Sequence, residues 1–359
     1  MVVGIVQSTI DSVEASMAEL LEMIDYRPRD KALFIKPNVP DSGPPGQGLY
    51  TDPAVVDALL AQCPGCSAVI GEGCVVGRSA ATALVKNGYQ PVAQRWGANL
   101  VDLDVEERYE ATWHLGRLRL PDLLQSHEYI NVAKMKTHIQ TGVTLGMKNQ
   151  KGLLHPVDKR RFHRLGLDRC IQALADVVQP ALTIVDGIVA LEGNGPWRYG
   201  RPTPMGLLVA GTDMIEVDNV CLQLMGFEAN HAPHIPIRQQ IDTVGLDVHT
   251  AKRSFAFDYP GFFRYRNVYE HVNDSCSGCN WSLYRAFVAI KDDPWRRMHF
   301  QYRGVWRRLD VIMGHAKVMP SGHGQVLCLG DCACDFAEMH GLRIARGCPP
   351  ETAAIVRLL

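Results

Sequence analysis

Short apolar segments alternate with amphipathic segments along the first two thirds of the chain. Residues 32–35 and 182–185 are apolar runs of strand length, whereas residues 12–26 and 214–225 repeat apolar side chains at helical spacing. Strands that alternate with helices in this way predict a largely parallel sheet with both faces covered by helices. We therefore expect an α/β fold, in which residues 158–178 form one long helix.

The alternation weakens after residue 246, which predicts a domain boundary at this point. Residues 1–246 form the predicted α/β domain, and residues 247–359 form a smaller α+β region that is rich in cysteine. The formal net charge of −1 excludes a general attraction to nucleic acid or to anionic membranes. Since no apolar run approaches the roughly 20 residues that a membrane-spanning helix needs, we expect a cytoplasmic protein.

Four cysteines of the C-terminal region each lie within two residues of a glycine. Cys276 and Cys279 belong to a Cys-Ser-Gly-Cys sequence, Cys332 follows Gly-Asp, and Cys348 begins Cys-Pro-Pro after a glycine. Thiolates are the ligands of iron–sulfur clusters, and glycine lets the backbone approach the sulfur atoms closely. One close pair and two cysteines on separate loops therefore predict a 4Fe-4S cluster held by these four residues.

Other interpretations of the cysteines stay open. A structural zinc site also uses four cysteines, although zinc ribbons usually contain two Cys-x-x-Cys sequences, and the thiols could instead be inert core residues. Cys334 could replace Cys332 as a ligand, whereas Cys328 is expected to lie in the core of a strand. The separate pair Cys63 and Cys66 is interpreted as a turn between a helix and a strand.

A lysine-rich stretch follows the strand predicted at residues 129–133. It runs from Lys134 to Gly152 and contains four lysines and three glycines. In an open α/β sheet, ligands bind beyond the carboxyl ends of the strands, and lysines with backbone N–H groups suit a carboxylate or phosphate. We expect a small anionic substrate here; a solvated basic loop is the alternative. The expected substrate-binding residues are Lys36, Asn38, Lys134, Thr141, Lys148 and Asn149.

Three residues near the same strand ends are candidates for catalysis. His138 is the expected general acid or base, because the usual pKa of histidine is about 6.5. Lys136 and Asp186 complete the expected mixed-charge cleft. The alternatives are a structural hydrogen bond for His138 and a turn or helix cap for Asp186.

Two resemblances to known families rest on these motifs. The cysteine sequences resemble the proximal-cluster site in small subunits of nickel–iron hydrogenases and related quinone-reductase subunits. The whole chain more closely resembles the family called domain of unknown function 362, many of whose members carry iron–sulfur motifs. The second resemblance covers about residues 31–226, and it rests on Lys36-Pro37-Asn38, residues 131–138, residues 142–152 and Asp186-Gly187-Ile188. It implies an iron–sulfur protein but no defined reaction.

A basic and aromatic run lies between the cysteine sequences. It extends from Trp295-Arg296-Arg297 through Arg303 to Trp306-Arg307-Arg308. This run could dock an acidic, ferredoxin-like electron carrier, or it could be a solvated face with arginine stems packed on aromatic rings. The sequence thus favours an iron–sulfur redox protein or enzyme that acts on a small anionic substrate. The alternatives are an electron-transfer or maturation partner without a substrate and a metabolic enzyme stabilised by zinc.

Overall fold

The computed structural model describes residues 2–138, 140–196, 200–256, 267–273, 275, 277–304, 308–321 and 324–359. The backbone divides into two compact units. The first unit comprises Met1–Phe162 and Leu167–Phe257, and the second comprises His163–Gly166 and Asp258–Leu359. The domain boundary expected after residue 246 stays a prediction.

The first unit contains a large sheet flanked by helices. Its strands are β1 Val2–Gln7, β2 Ala32–Pro37, β3 Ser67–Glu72, β4 Asn99–Asp102, β5 Arg108–Trp113, β6 Gly116–Pro121, β7 Glu128–His138, β8 Gly142–Thr144, β9 Leu182–Gly193, β10 Gly200–Thr203, β11 Leu207–Gly211 and β12 Asp242–Gly245. The helices that begin in this unit are α1 Val13–Met23, α2 Pro53–Ala61, α3 Ala80–Lys86, α4 Tyr89–Trp96, α5 Leu123–Ser126, α6 Gly146–Asn149, α7 Pro156–Leu165, α8 Leu167–Val177, α9 Met214–Leu224 and α10 Val248–Ala251.

The large sheet is mixed but mostly parallel. Over the described residues it has ten strands in the order β12-β1-β11-β9-β7-β2-β3-β4, with β10 beside β9 and β8 beside β7. The run β9-β7-β2-β3-β4 is parallel throughout, whereas β11 is antiparallel to both β1 and β9. β5 and β6 form a separate hairpin. The predicted α/β fold with a largely parallel sheet is confirmed.

The sheet is buried on both faces, as its apolar strands require. Leu33 and Ile35 belong to one buried cluster, while Phe34 between them belongs to another. Because successive side chains of a strand point to opposite faces, the two clusters cover the two sides of the sheet.

A carboxylate caps the start of α2. The Asp52 side chain accepts a hydrogen bond from Ala54 N there.

Two predicted elements differ from those observed. The single helix expected over residues 158–178 was wrong, because α7 and α8 are separated at Gly166, whose φ is +96°. This left-handed conformation is easily reached only by glycine, and it ends a helix. The strand expected to end at residue 133 continues to His138 and pairs with β8, so the start of the lysine-rich stretch is strand rather than loop.

The second unit contains a smaller parallel sheet. Its elements are β13 Val268–Asn273, α11 Ser277–Asp292, α12 Pro294–Gly304, β14 Leu309–Gly314, β15 Gln325–Leu329, α13 Cys334–Met339, β16 Arg343–Ala345 and α14 Thr352–Leu358. The four strands described here lie in chain order and are all parallel. A buried apolar cluster from α11 and these strands forms its core. The prediction of a smaller C-terminal region of strands and helices is confirmed.

Candidate functional site

The predicted cluster ligands follow the strands of the second sheet. Cys276 and Cys279 follow β13 in the sequence, Cys332 follows β15, and Cys348 follows β16. Because these strands are parallel, their carboxyl ends lie at one edge of the sheet. Cys276 itself lies outside the described residues.

The loops at this edge contact one another. Asp331 N donates to Gly347 O at 3.2 Å, and Gly347 N donates to the Asp331 carboxylate at 2.7 Å. Gly330 has φ +87°, and a Cβ atom at this position would lie 2.7 Å from Cys279 Sγ. The thiol of Cys279 therefore packs directly on the glycine that precedes Asp331, where a side chain would not fit.

The described ligand candidates differ in exposure. Cys279 is buried, whereas Cys332 and Cys348 are half-buried. Within the described part of the chain, no three His, Cys, Asp or Glu side chains are arranged so that they could hold a metal ion. The four-cysteine ligand set and the 4Fe-4S cluster therefore stay predictions.

The other cysteines have separate environments. Cys328 is fully buried on β15, and burial raises the pKa of its thiol to about 11. The Cys334 thiol accepts a hydrogen bond from Arg346 at 3.4 Å, and burial raises its pKa while Arg346 lowers it. Cys66 N donates to Cys63 O at 3.2 Å between α2 and β3, so the interpretation of this pair as a turn is confirmed.

Lys36 lies at the centre of a buried polar network at the carboxyl end of β2. Its ammonium pairs with Glu72 at 2.7 Å. It also donates to Pro37 O at 3.1 Å and to Asn149 Oδ1 at 3.2 Å, which matches the three donors of an ammonium. Asn38 donates to the same Asn149 oxygen at 3.0 Å. Lys36, Asn38 and Asn149 therefore converge as expected, but they bind one another, and burial lowers the pKa of Lys36.

Lys134 and Lys136 have different partners. Lys134 pairs with Asp186 at 2.7 Å, and Lys136 donates to Leu49 O at 2.7 Å. Both lysines are almost fully buried, and burial lowers the pKa of Lys136 to about 7, helped by the charge of Lys134. Lys134, Asp186 and Asp52 line a pocket beneath residues 46–50, with space for about one water molecule.

His138 and Thr141 lie at the β7–β8 hairpin, and Lys148 lies in α6. His138 is buried and its Nδ1 accepts a hydrogen bond from Gln140 N at 3.1 Å. Burial lowers the pKa of His138 well below its usual value, and Lys148 is the next largest cause. The Thr141 hydroxyl donates to Val143 O at 3.0 Å. The catalytic and substrate-binding roles of these residues stay predictions.

Sequence reasoning missed three polar residues at these networks. Glu72 ends β3 between two glycines, and this position at a strand end is a signal that could have indicated it. Asp218 is buried within α9 and accepts hydrogen bonds from Gly146 N at 2.7 Å and Met147 N at 2.8 Å. His234 is fully buried in a stretch without periodicity. No sequence pattern marks either of the last two residues.

The basic and aromatic run is partly described. Trp295, at the start of α12, is 78% exposed, and Arg296 and Arg297 are exposed beside it. Arg308 makes two hydrogen bonds of 2.8 Å to the buried Asp310 and stacks over the Tyr269 ring. The side chain of Arg303 and the residues 306 and 307 lie outside the described part. Docking of an electron carrier stays a prediction.

The fold and the buried polar networks define an α/β protein with a cysteine-bearing parallel sheet in its second unit. The domain of unknown function (DUF362) family matches residues 33–223, and the chain belongs to this family. The Thylakoid-associated protein sll1697 of Synechocystis sp. is 30% identical over 324 residues, which span 85% of this chain and 95% of that relative. The family resemblance drawn from the sequence is thereby confirmed, whereas the hydrogenase-like resemblance of the cysteine motifs stays a hypothesis.

In the described residues, no helix is both long enough and apolar enough to cross a bilayer. The expected cytoplasmic location stays a prediction, since the Synechocystis relative is described as thylakoid-associated.

Proposed function

We propose that this member of the DUF362 family is an iron–sulfur protein with a 4Fe-4S cluster bound by Cys276, Cys279, Cys332 and Cys348. We also propose that its first unit binds a small anionic substrate. The observation that carries the proposal is the shared edge of the second sheet. The loops with the proposed ligands follow three parallel strands, and such loops meet at the carboxyl edge, where α/β sheets bind their ligands.

The residues at this edge fit an anionic cluster in two respects. The absent side chain of Gly330 gives Cys279 Sγ a place against the backbone. α11 begins at Ser277, two residues before Cys279, so its first-turn N–H groups and its dipole favour negative charge there. When bound, the cluster would supply one-electron transfer.

The first unit contributes groups that suit proton transfer beside an anion. Because burial brings the pKa of Lys136 to about 7, its amine can both accept and donate a proton near neutral pH. His138 is the second proton-transferring candidate, and its lowered pKa keeps it neutral. Asp186 holds the ammonium of Lys134 and would orient it towards the pocket. Lys36, Asn38, Thr141, Lys148 and Asn149 remain the proposed binding residues around this group.

The ligand set is tested by serine substitution in full-length protein that is purified and reconstituted anaerobically. We expect Cys279→Ser, Cys332→Ser and Cys348→Ser to lose most of the bound iron and the visible absorbance, as should Cys276→Ser. Cys66→Ser is the matched control, because Cys66 lies in a turn of the first unit. Retention of a full cluster in any of the four ligand variants would overturn the ligand set.

A second candidate function is electron transfer without a substrate. The pocket beside Lys134 has space for only about one water molecule, and Lys36, Lys134 and Lys136 are bound to internal partners, which favours this function. In this function, the exposed Trp295, Arg296 and Arg297 would contact an acidic, ferredoxin-like carrier. Salt-dependent binding of such a carrier, lost in the Arg296→Gln/Arg297→Gln variant while small anions fail to bind, would support this function over the first.

A further inference from the structure

His234 occupies an unusual buried position in the first unit. Its side chain is fully buried, and His231, three residues before it, packs against Gly142 at the start of β8. Gly142 has φ +73°, and a Cβ atom there would lie 2.5 Å from His231 O. The glycine therefore allows the segment 231–234 to close over the hairpin that begins at His138.

One side of the His234 ring is oriented by a carboxylate. Asp168 Oδ1 lies 3.3 Å from His234 Nδ1, close enough for an ion pair but poorly aligned for a hydrogen bond. A carboxylate at Nδ1 favours the tautomer with its proton on that nitrogen. Nε2 is buried and has no hydrogen-bond partner among the described residues, although buried polar atoms normally have one.

Cation-forming side chains surround the two histidines, and Lys148 lowers the pKa of His234 as well as that of His138. His138 interacts with His234, Lys148, Lys151 and Lys136, and each of these charges lowers its pKa after the larger effect of burial. Lys148 forms no ion pair with any described residue, and its pKa is lowered by burial, then by Lys151 and Lys136.

Asp168 is the carboxylate that favours the charged forms of Lys148 and His234, and its side chain is 37% exposed. Several cation-forming groups around one half-exposed carboxylate repel each other in a medium of low polarity. A metal cation at His234 Nε2 would add to this repulsion, whereas an anion would remove it.

We propose that His234, Lys148 and His138 form a binding site for an oxyanion, a phosphate or carboxylate group that anchors the substrate. Lys148 donates to the anion from its ammonium, and His234 donates from Nε2 in its protonated form, while Asp168 holds Nδ1. The assignment rests on the substrate-binding part of the proposed function. It adds His234 and Asp168 to that site and names the chemical group that they recognise.

The test uses the full-length protein and inorganic phosphate, with sodium acetate as a parallel carboxylate probe and potassium chloride as the ionic-strength control. A ligand that binds only the folded state raises the melting temperature in a saturable way. We expect phosphate or acetate to do this beyond the effect of chloride. Lys148→Met and His234→Gln should each weaken that binding by about tenfold or more, because each removes a charge-assisted hydrogen bond.

The matched control is Lys86→Met, which removes an exposed lysine from the last turn of α3 and should bind the anion like the wild type. A ¹⁵N NMR spectrum of the histidine rings keeps the inference testable if His234→Gln does not fold. Anion at the lowest concentration that saturates the wild type should shift one buried Nε2 resonance there and shift it clearly less in Lys148→Met. No saturable stabilisation by either anion, or unchanged binding in Lys148→Met, would overturn the inference.

The proposed cluster and the proposed anion site can be tested independently of each other. A Cys332→Ser/Cys348→Ser variant without a cluster should still bind the anion, because the site lies wholly within the first unit. Anion binding by reconstituted wild-type protein that contains no iron would overturn the cluster and keep this site. A full cluster without anion binding would overturn this site and keep the cluster.

Discussion

At the scale of single residues, the first unit is governed by the pairing of buried charges. Lys36 and Glu72 are both almost fully buried and lie 2.7 Å apart. Removing charges from water is costly, and only a close partner with further hydrogen bonds offsets that cost. Glu72 has these bonds, since it also accepts from Val39 N and Gly73 N at 2.8 Å each. The pair is therefore a structural unit as well as a candidate site.

Breaking this pair should be far more damaging than breaking an exposed one. We expect Lys36→Met to lower the free energy of unfolding by about 3–5 kcal/mol, because the Glu72 carboxylate stays buried without its partner. Lys36→Met/Glu72→Leu should recover part of the loss. Urea unfolding of the wild type, Lys36→Met, Glu72→Leu and the double variant measures both effects.

The control for this cycle is Arg117→Met. Arg117 pairs with Glu110 at 2.7 Å, but both side chains are more than half exposed, so the loss should stay below about 1 kcal/mol. A double variant as unstable as the sum of its single variants would contradict the assignment of Lys36 and Glu72 as one buried unit.

The absence of a side chain at Gly152 makes room for the Lys36–Glu72 pair. A Cβ atom at this position would lie 2.1 Å from Glu72 Oε1 and 2.6 Å from Lys36 Nζ. We expect Gly152→Ala to displace the pair and to lower the free energy of unfolding by about 2–4 kcal/mol. Gly77→Ala is the comparison, because Gly77 has φ +86° but open space around it. That change should cost only about 1 kcal/mol of backbone strain, and equal losses in the two variants would contradict the steric account.

The sequence indicated which of these residues would lie together, but it did not indicate that they would be buried. Lys36, Asn38 and Asn149 could be expected to meet, because polar residues that follow parallel strands share one edge of the sheet. Their burial could not be expected, since it depends on which segments cover that edge. Lys136 shows this most directly: its partner is the backbone carbonyl of Leu49, which no residue pattern encodes.

At the scale of elements, short helix α6 depends on a carboxylate from another helix. Asp218 in α9 accepts hydrogen bonds from the first two N–H groups of α6, and α6 carries Lys148 and Asn149. Burial raises the pKa of Asp218 to about 7, although these two hydrogen bonds lower it. The position of α6 is therefore coupled to an ionisation near neutral pH.

The pH dependence of stability should report this coupling. Since the pKa of Asp218 is raised on folding, the folded protein binds this proton more tightly than the unfolded chain. The resulting stabilisation is complete below the unfolded pKa of about 4 and is lost as pH rises through about 7. Relative to Asp218→Asn, the wild type should therefore lose about 2–4 kcal/mol of unfolding free energy between pH 4 and 8.

The quantity to compare is how the difference in unfolding free energy between the wild type and Asp218→Asn changes with pH. Its absolute value is not informative, because Asp218→Asn also loses one hydrogen bond at every pH. Urea unfolding at a series of pH values supplies it. A difference that does not change between about pH 4 and pH 8 would show that Asp218 keeps an ordinary pKa in the folded protein.

The bounds of helices and strands could be predicted where the local residue pattern determines them. They could not be predicted where a single residue or a partner distant in sequence determines them. The start of α2 follows from local pattern, because Asp52 is a favourable N-cap residue and Pro53 suits the first turn. The break between α7 and α8 depends on the left-handed conformation of Gly166, which the apolar periodicity across it conceals. β7 extends through Lys134 and Lys136 because each finds a buried partner, although two lysines would normally predict a loop.

At the scale of the whole molecule, the chain divides into two compact units with separate sheets. The class of fold followed from the alternation of strands and helices. The order of the strands did not, because the antiparallel place of β11 between β1 and β9 is set by long-range pairing. For the cysteines, the sequence identified the motifs, and the parallel second sheet brings the loops that carry Cys279, Cys332 and Cys348 to one edge.

Removal of the proposed cluster should destabilise one unit only. We expect chelation of iron under anaerobic conditions to increase amide hydrogen exchange in β13–β16 and α11, because the ligands join the loops after these strands. Exchange in β1–β12 should stay unchanged. The measurement is hydrogen-exchange mass spectrometry before and after chelation, with Cys66→Ser as the control. An equal increase in both units, or none in the second, would contradict the proposed place of the cluster.

The proposed 4Fe-4S cluster on the cysteines of the second unit is tested most directly by the metal and sulfide content of the protein. Iron, zinc and acid-labile sulfide should be measured in full-length protein purified anaerobically. We predict about four iron and about four sulfide atoms per chain, with the EPR signal of a reduced cluster. A colourless protein that contains zinc and no sulfide would contradict the claim.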